Sequence, residues 1–255
     1  MNNHLAITDS QLQERRERVF LVLAGFFLCA MTLLNVIGIT RFIQLGPMQL
    51  AIGVLAYPLT FLCTDLISEL YGKARANFMV SVGLLLNGFI LLVMWLGNTL
   101  PAVDPIAQPP WQTLQLAQEV GLPSGETVVG SVELFYLLYA NTSGAVFASM
   151  LAYVFAQYVD VYLFHWIKNK TGGKHLWLRN NGSTIVSQLV DSITVIGVTF
   201  GAAVMAGSMT LTVALGLLIS NYLFKLVSAL VDTPIIYILI AKLRPYLGLT
   251  DARSQ

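Results

Sequence analysis

The chain has 255 residues, of which 56% are hydrophobic and only 11% are charged, and its formal net charge at pH 7 is +1. Soluble domains carry about 25% charged residues, so this composition excludes a soluble globular protein and predicts an integral membrane protein. A net charge so close to zero provides no basic face for nucleic acid, which excludes a nucleic-acid-binding function.

Six apolar runs follow a polar N-terminal tail, and each is long enough for a membrane span of about 20 residues. We expect no cleavable signal peptide, because the first apolar run is too long for one and lacks a clear cleavage site. We therefore expect an all-α integral membrane protein with a tail at 1–18, a six-helix membrane domain at 19–241 and a second tail at 242–255. The predicted spans are 19–40, 48–71, 75–97, 133–167, 183–206 and 209–241.

Two of these runs contain residues that interrupt a regular helix. Pro58 removes a backbone donor from the second run, and we expect it to break the hydrogen-bond ladder and free the carbonyl of Val54. The fourth run is too long for one straight span, and its Asn-Thr-Ser-Gly segment at 141–144 predicts a break between a short outer helix and the span proper. One long tilted helix is the alternative.

A polar, proline-rich loop at about 98–131 separates the third and fourth runs. Within it, apolar residues recur at helical spacing, which predicts a short helix that rests on the membrane interface. A lid over the membrane domain is the alternative. The residues in question are Trp111, Leu114, Ala117 and Val120.

The distribution of lysine and arginine predicts the orientation. Both tails and the loops after the second and fourth runs are basic, whereas the loops on the other side contain only Arg41. Both termini are therefore expected in the cytoplasm, which requires an even number of spans, and the expected location is a bacterial-type inner membrane.

Ionisable residues inside the apolar runs identify the candidate site. Each such residue costs about 2.5–3.5 kcal/mol at the centre of a membrane helix, so it must face a protein interior or a wet cavity. Asp65 and Glu69 are four residues apart and share a helix face. The whole set is Asp65, Asp160, Asp191, Lys225 and Asp232, with Glu69 near a helix end.

Lys225 and Asp232 are seven residues apart, which again places them on one helix face. A transport role for Lys225 is the functional interpretation. The structural alternative is a buried salt bridge from Lys225 to Asp191 or to Asp232, and the two interpretations are compatible.

A Gln-x-Val-Asp box occurs in both the fourth and the fifth run. Gln157 and Asp160 form the first box, and Gln188 and Asp191 form the second. The two spans run in opposite directions, so each glutamine lies about level with the aspartate of the other box. If the two spans are neighbours, the amides and carboxylates face each other across one gap and suit the donor and acceptor edge of a purine-like base. Hydrogen bonding between helices is the structural alternative.

Four sequence stretches carry a resemblance to a known family. They are Tyr57–Pro58–Leu59–Thr60–Phe61 with 64–72 (Thr-Asp-Leu-Ile-Ser-Glu-Leu-Tyr-Gly); 157–160; 176–181 (Leu-Trp-Leu-Arg-Asn-Asn) with 183–184 and 188–191; and Phe224–Lys225 with 230–234 (Leu-Val-Asp-Thr-Pro). With these motifs the chain resembles the queuosine precursor transporters, a family also described as vitamin-uptake transporters. The resemblance covers about residues 30–245.

The resemblance implies a six-helix fold similar to the substrate-binding components of vitamin transporters. It also implies uptake of 7-deazaguanine precursors of queuosine, a modified tRNA base, in their 7-cyano and 7-aminomethyl forms. The family motifs match all eight candidate residues, which are Asp65, Glu69, Gln157, Asp160, Gln188, Asp191, Lys225 and Asp232.

A transporter is the leading interpretation, with a purine-like small molecule and the lipid bilayer as its partners. No Walker motif occurs, so the chain is not expected to bind ATP through one. Proton-coupled transport, passive transport and a role as a substrate-binding subunit driven by separate ATPase partners are the alternatives. A homo-oligomer is also left open. A membrane enzyme is disfavoured because His165 and His175 lie in a basic loop without a partner motif. A helical scaffold would not need the buried charges. No cofactor or metal ion is expected.

Overall fold

The computed structural model describes residues 9–104, 106–172 and 176–249, with only the backbone for a few residues inside helices. Six helices in this part of the chain are long and apolar enough to cross a membrane, which confirms the prediction of an all-α membrane protein with six spans. The α-helices are α1 (Asp9–Val36), α2 (Tyr57–Tyr71), α3 (Lys73–Thr99), α4 (Leu134–Lys170), α5 (Leu176–Met205) and α6 (Leu211–Tyr246).

The second span begins differently from the sequence expectation. A β-hairpin of β1 (Phe42–Leu45) and β2 (Met48–Ala51) connects α1 to a short 3-10 helix, Ile52–Ala56, which continues into α2. The prediction of a helix from residue 48 is therefore wrong. Gly46 takes a positive φ of 57° at the hairpin turn, a conformation that glycine adopts without steric cost.

Pro58 lies in the first turn of α2 rather than in the middle of a span. Its missing N–H has no helical partner at that position, so proline is favoured there. Pro58 therefore interrupts no α-helix, because only the 3-10 helix Ile52–Ala56 precedes it, and the expectation of a free Val54 carbonyl stays a prediction. Pro58 instead marks where the helix begins.

The fourth run forms one uninterrupted helix of 37 residues, so the predicted break at 141–144 is wrong and the long-helix alternative is correct. The polar residues of this segment satisfy their hydrogen bonds without breaking the helix. Asn141 donates to the carbonyl of Leu137 one turn earlier, and Thr142 donates to the carbonyl of Val36 on α1 at 3.0 Å. At 1.5 Å per residue, α4 is about 55 Å long and exceeds the hydrocarbon thickness of about 30 Å.

The loop between α3 and α4 contains short strands where a surface helix was expected. The strand β3 (Thr113–Gln115) pairs antiparallel with β6 (Ser131–Glu133), and β4 (Val120–Gly121) pairs with β5 (Thr127–Val128). The helical prediction is therefore wrong for Leu114 and Val120. Glycine and proline on either side of these segments favour turns, and cross-strand pairing outweighs a weak helical periodicity.

The chain divides into two compact units, of which the first contains the chain up to Thr32, the segment Ala56–Gly83 and the chain from Val227 onward. Its core includes Phe27 on α1 and Cys63 on α2. Arg16 near the start of α1 donates to the carbonyls of Leu247 (2.9 Å) and Gly248 (3.2 Å) just after α6. The start of α1 and the end of α6 therefore lie at the same end of this unit, as an even number of crossings requires.

The second unit contains Leu33–Leu55 and Leu84–Leu226. Here α4 packs closely along α5. The hairpin is held in place by the Gln49 N–H, which donates to Ser220 Oγ on α6 at 3.1 Å, and by Leu50, which is fully buried. The 3-10 helix passes so close to the end of α1 that Gly53 N–H donates to the Gly38 carbonyl at 3.1 Å.

We expect Gly53→Ala to destabilise the protein. A Cβ at residue 53 would lie 2.6 Å from the Cα of Gly38 and 2.6 Å from the carbonyl oxygen of Leu34. Both atoms belong to the backbone, so the overlap should cost about 1–3 kcal/mol in free energy of unfolding. Thermal unfolding of the detergent-purified protein measures it. Gly88→Ala is the matched control, because a Cβ at residue 88 meets no atom within 4 Å. Equal melting temperatures for the two variants would contradict the prediction.

Candidate functional site

A buried ion pair between α5 and α6 lies at the centre of the candidate site. Lys225 Nζ donates to Asp191 Oδ2, and the side chains of Lys225 and Asp191 are only 3% and 14% exposed. Of the two partners left open by the sequence, the structure therefore pairs Lys225 with Asp191. Two charges out of water are tolerated only when each neutralises the other, so neither can be removed alone without cost.

The surroundings of this pair are polar along one side of α5. Gln188 lies one turn before Asp191, and the buried hydroxyls of Ser187 and Ser192 flank the two residues. The phenolic OH of Tyr222 on α6 donates to the carbonyl of Ile185 at 3.3 Å, which ties the two helices together one turn from the pair. On α5 the Gln188 amide and the Asp191 carboxylate are thus one turn apart, and the Lys225 ammonium reaches the carboxylate from α6.

The other Gln-x-Val-Asp box lies on α4, which packs directly against α5. That contact confirms that the spans with the two boxes are neighbours. The side chains of Gln157 and Asp160 themselves lie outside the part of the chain that the structure describes. Their position opposite Gln188 and Asp191 therefore stays a prediction.

A second group of candidate residues lies in the first unit. Asp232 on α6 is 5% exposed, and Asp65 on α2 is more exposed. Within the described residues, Asp232 Oδ2 has no hydrogen-bond partner. Pro234 lies inside α6 two residues later and cannot donate to the carbonyl of Leu230. The helix therefore lacks one backbone hydrogen bond beside Asp232.

Glu69 has a different environment from the other candidates. The Glu69 carboxylate forms an ion pair with Arg244 near the end of α6, and the Glu69 side chain is about half exposed. Exposed pairs of this kind contribute about 0–1 kcal/mol, so this contact holds helix ends together only weakly. The sequence prediction missed Arg244, although its place just after the last apolar run was a usable signal.

A buried amide pair was also missed by the sequence prediction. Asn35 Nδ2 on α1 donates to Asn87 Oδ1 on α3 at 3.1 Å, and both side chains are almost fully buried. Asn35 and Asn87 are polar residues within apolar runs, as Gln188 is, but they carry no charge and were not predicted as site residues. The pair links two helices of the second unit, as polar residues between membrane helices do.

Comparison with known proteins places these residues in a transporter context. Residues 51–239, which include all eight candidate site residues, match the model of a family described as "Putative vitamin uptake transporter". A protein of Bacillus subtilis (strain 168) named "Probable queuosine precursor transporter" is 28% identical over 201 residues, which cover 78% of this chain and 75% of that protein. No solved structure gives a significant match.

We expect Lys225→Met to destabilise the protein, because it leaves the Asp191 carboxylate buried without its counter-charge. Breaking one side of a buried pair costs about 3–5 kcal/mol in free energy of unfolding. The neutral double variant Asp191→Asn with Lys225→Met should recover much of that loss. Thermal unfolding in detergent or nanodiscs measures both variants.

The matched control is Lys242→Met, since Lys242 is exposed near the end of α6. It should leave the melting temperature unchanged. If Lys225→Met were as stable as the control, or if the double variant were less stable than the single one, the pair would not hold the helices as described.

Proposed function

Because this chain belongs to the "Putative vitamin uptake transporter" family, we propose that it imports 7-deazaguanine precursors of queuosine, in the 7-cyano or 7-aminomethyl form, across the inner membrane. A relative whose name states the transport of a queuosine precursor supports this substrate class. The observation that carries the proposal is the buried Asp191–Lys225 pair beside Gln188, which provides charged hydrogen-bonding groups inside a membrane span. Family and relative favour transport over catalysis.

The chemistry of these groups matches a 2-amino-4-oxo heterocycle. The Asp191 carboxylate accepts from a ring N–H and the neighbouring exocyclic amine together, and the Gln188 amide donates to the ring carbonyl. The Lys225 ammonium is the counter-charge of the Asp191 carboxylate, and hydrogen bonds to a carboxylate are stronger than those between neutral groups. The base competes with Lys225 for the carboxylate oxygens, and its own N–H groups replace the lysine contacts that it displaces.

The remaining candidates have supporting roles in this proposal. Gln157 and Asp160 complete the recognition of the base from α4, opposite Gln188 and Asp191. Asp65 and Asp232 are carboxylates within apolar runs of the first unit, and in this proposal they take up and release a proton during the transport cycle. The ion pair of Glu69 with Arg244 would hold α2 and the end of α6 together beside these two carboxylates.

Orientation is tested by cysteine labelling. With both termini in the cytoplasm, as the positive-inside rule predicts, a cysteine at Gln115 on β3 should react with an impermeant thiol reagent from outside, and a cysteine at Lys170 should not. Both positions are exposed. The native Cys29 and Cys63 are first replaced by serine. Permeabilised cells provide the control, in which both positions should label. The reverse pattern in intact cells would exclude the proposed orientation.

Uptake of labelled 7-cyano-7-deazaguanine into cells tests the substrate and the site. We expect Gln188→Ala, and separately the neutral pair Asp191→Asn with Lys225→Met, to reduce uptake about ten- to a hundred-fold per folded molecule. For the neutral pair this is the effect of losing a charge-assisted hydrogen bond of about 1.5–3 kcal/mol, and for Gln188→Ala it is the cost of about 1–3 kcal/mol of leaving the ring carbonyl without a donor. Size-exclusion chromatography provides the amount of folded protein.

The matched control carries the same kinds of change in the loop between α3 and α4, as Asp104→Asn with Gln115→Ala, and should transport normally. If the ion pair and Gln188 only hold helices together, the site variants should express poorly while their folded fraction transports at the normal rate. That result, or full uptake by a stable neutral pair, would rule out the proposed recognition site.

A further inference from the structure

A partly open cleft of about 320 Å³ lies between the β1–β2 hairpin and the start of α6, away from the buried ion pair. The hairpin contributes Phe42, Gln44 and Gln49 to its lining, and α6 contributes Val213 and Leu217. All of them belong to the second unit. The volume lies at the lower end of the range of small-molecule pockets, which is about 300–1,000 Å³.

The strand register places two amides side by side in this cleft. Gln44 and Gln49 are directly opposite each other in the hairpin, and Phe42 lies on the same face two residues before Gln44. Cross-strand partners have Cβ atoms about 4.5–5.5 Å apart. Leu50, on the other face, is fully buried, so a shift of register that would turn the glutamines away is prevented.

The hairpin backbone indicates that this cleft is wet. A two-stranded hairpin leaves the outward-facing N–H and C=O groups of both strands without partners in the sheet, and lipid cannot satisfy them. Irregular backbone occurs at membrane depth only where protein covers it or where it lines a water-filled cavity. Gln49 N–H reaches Ser220 Oγ, but all residues of β1 except Ile43 are exposed, so the outward backbone groups of that strand need water.

The cleft is also close to the buried pair along the same helix. Leu217 and Lys225 are eight residues apart on α6, which corresponds to about 12 Å along the helix axis. Ser220, which holds the hairpin, lies between them. A small molecule in the cleft is therefore about two helical turns from Asp191 and Lys225.

We propose that this cleft is a second binding site for the transported base, where a planar heterocycle with an amide edge binds before it reaches Asp191 and Gln188. The proposal rests on the proposed function and adds a site to it. If the termini are cytoplasmic, the α1–α2 connection that carries the cleft faces the outside, where imported substrate arrives.

The chemistry of the lining supports a base rather than a lipid chain. The exposed Gln49 amide donates to a ring carbonyl, and the Gln44 amide, whose Nε2 donates to the Gly46 carbonyl, offers its oxygen to a ring N–H, whereas an acyl chain could use neither group. Phe42 provides an aromatic face and is itself held by Phe200, with ring centroids 6.1 Å apart. Val213 and Leu217 form an apolar wall against the other face of the ring.

Uptake kinetics of 7-cyano-7-deazaguanine in the full-length protein test the proposal. Gln44→Met with Gln49→Met keeps the length of both side chains and removes the amides. We expect KM to rise about ten-fold with an unchanged maximal rate, since the buried site that completes transport is intact. The matched control is Gln112→Met with Gln115→Met, two exposed glutamines in the loop between α3 and α4, and its KM should equal that of the unmodified protein.

A second variant, Phe42→Leu, keeps an apolar side chain against Phe200 and removes the aromatic face, and it should raise KM several-fold. It keeps the test valid if the glutamine double variant does not fold. An unchanged KM in a folded variant, or a lower maximal rate at constant KM, would overturn the second site and leave the proposed function standing. Absence of uptake by the unmodified protein would instead refute the proposed function, and the second site with it.

Discussion

Lipid offers no hydrogen bonds, and this constraint determines which parts of the chain can be helix, strand or charge. A helix satisfies the hydrogen bonds of its own backbone, so the apolar runs form six long helices. The helix α4 continues through Asn141 and Thr142 because these side chains donate to backbone carbonyls. The same constraint brings Asp191 and Lys225 together, because neither charge has water to solvate it. It also requires the β1–β2 hairpin to lie against protein or water.

The spans were predictable because an apolar run is a property of consecutive residues. Their internal structure was less predictable where short apolar segments suit strand and helix equally well. The segment Met48–Ala51 reads as the start of a span, yet the Gly46-Pro47 turn and pairing with Phe42–Leu45 make it a strand. In the loop between α3 and α4, the spacing from Trp111 to Val120 was helical by accident.

The candidate residues could be chosen from the sequence, but their partners could not. An aspartate or lysine in an apolar run stands out from its neighbours, whereas pairing depends on which helices pack together. Lys225 had two plausible carboxylates, and only the packing of α5 beside α6 decides for Asp191. Glu69 shares a helix face with Asp65, yet it pairs with Arg244, which lies 175 residues later in the chain.

The contacts of Arg16 with the carbonyls of Leu247 and Gly248 have a consequence for biosynthesis. The unit that they close contains the first helix and the end of the last, so it cannot form until the ribosome has released almost the whole chain. Domains generally fold as they emerge, N-terminal part first, and α1 can pack against α2 early, but the start of α1 must wait for contacts with the end of α6, which is made last. Until then the basic N-terminal end of α1 would be accessible to proteases and chaperones. In a chain truncated after α5, that end would stay accessible.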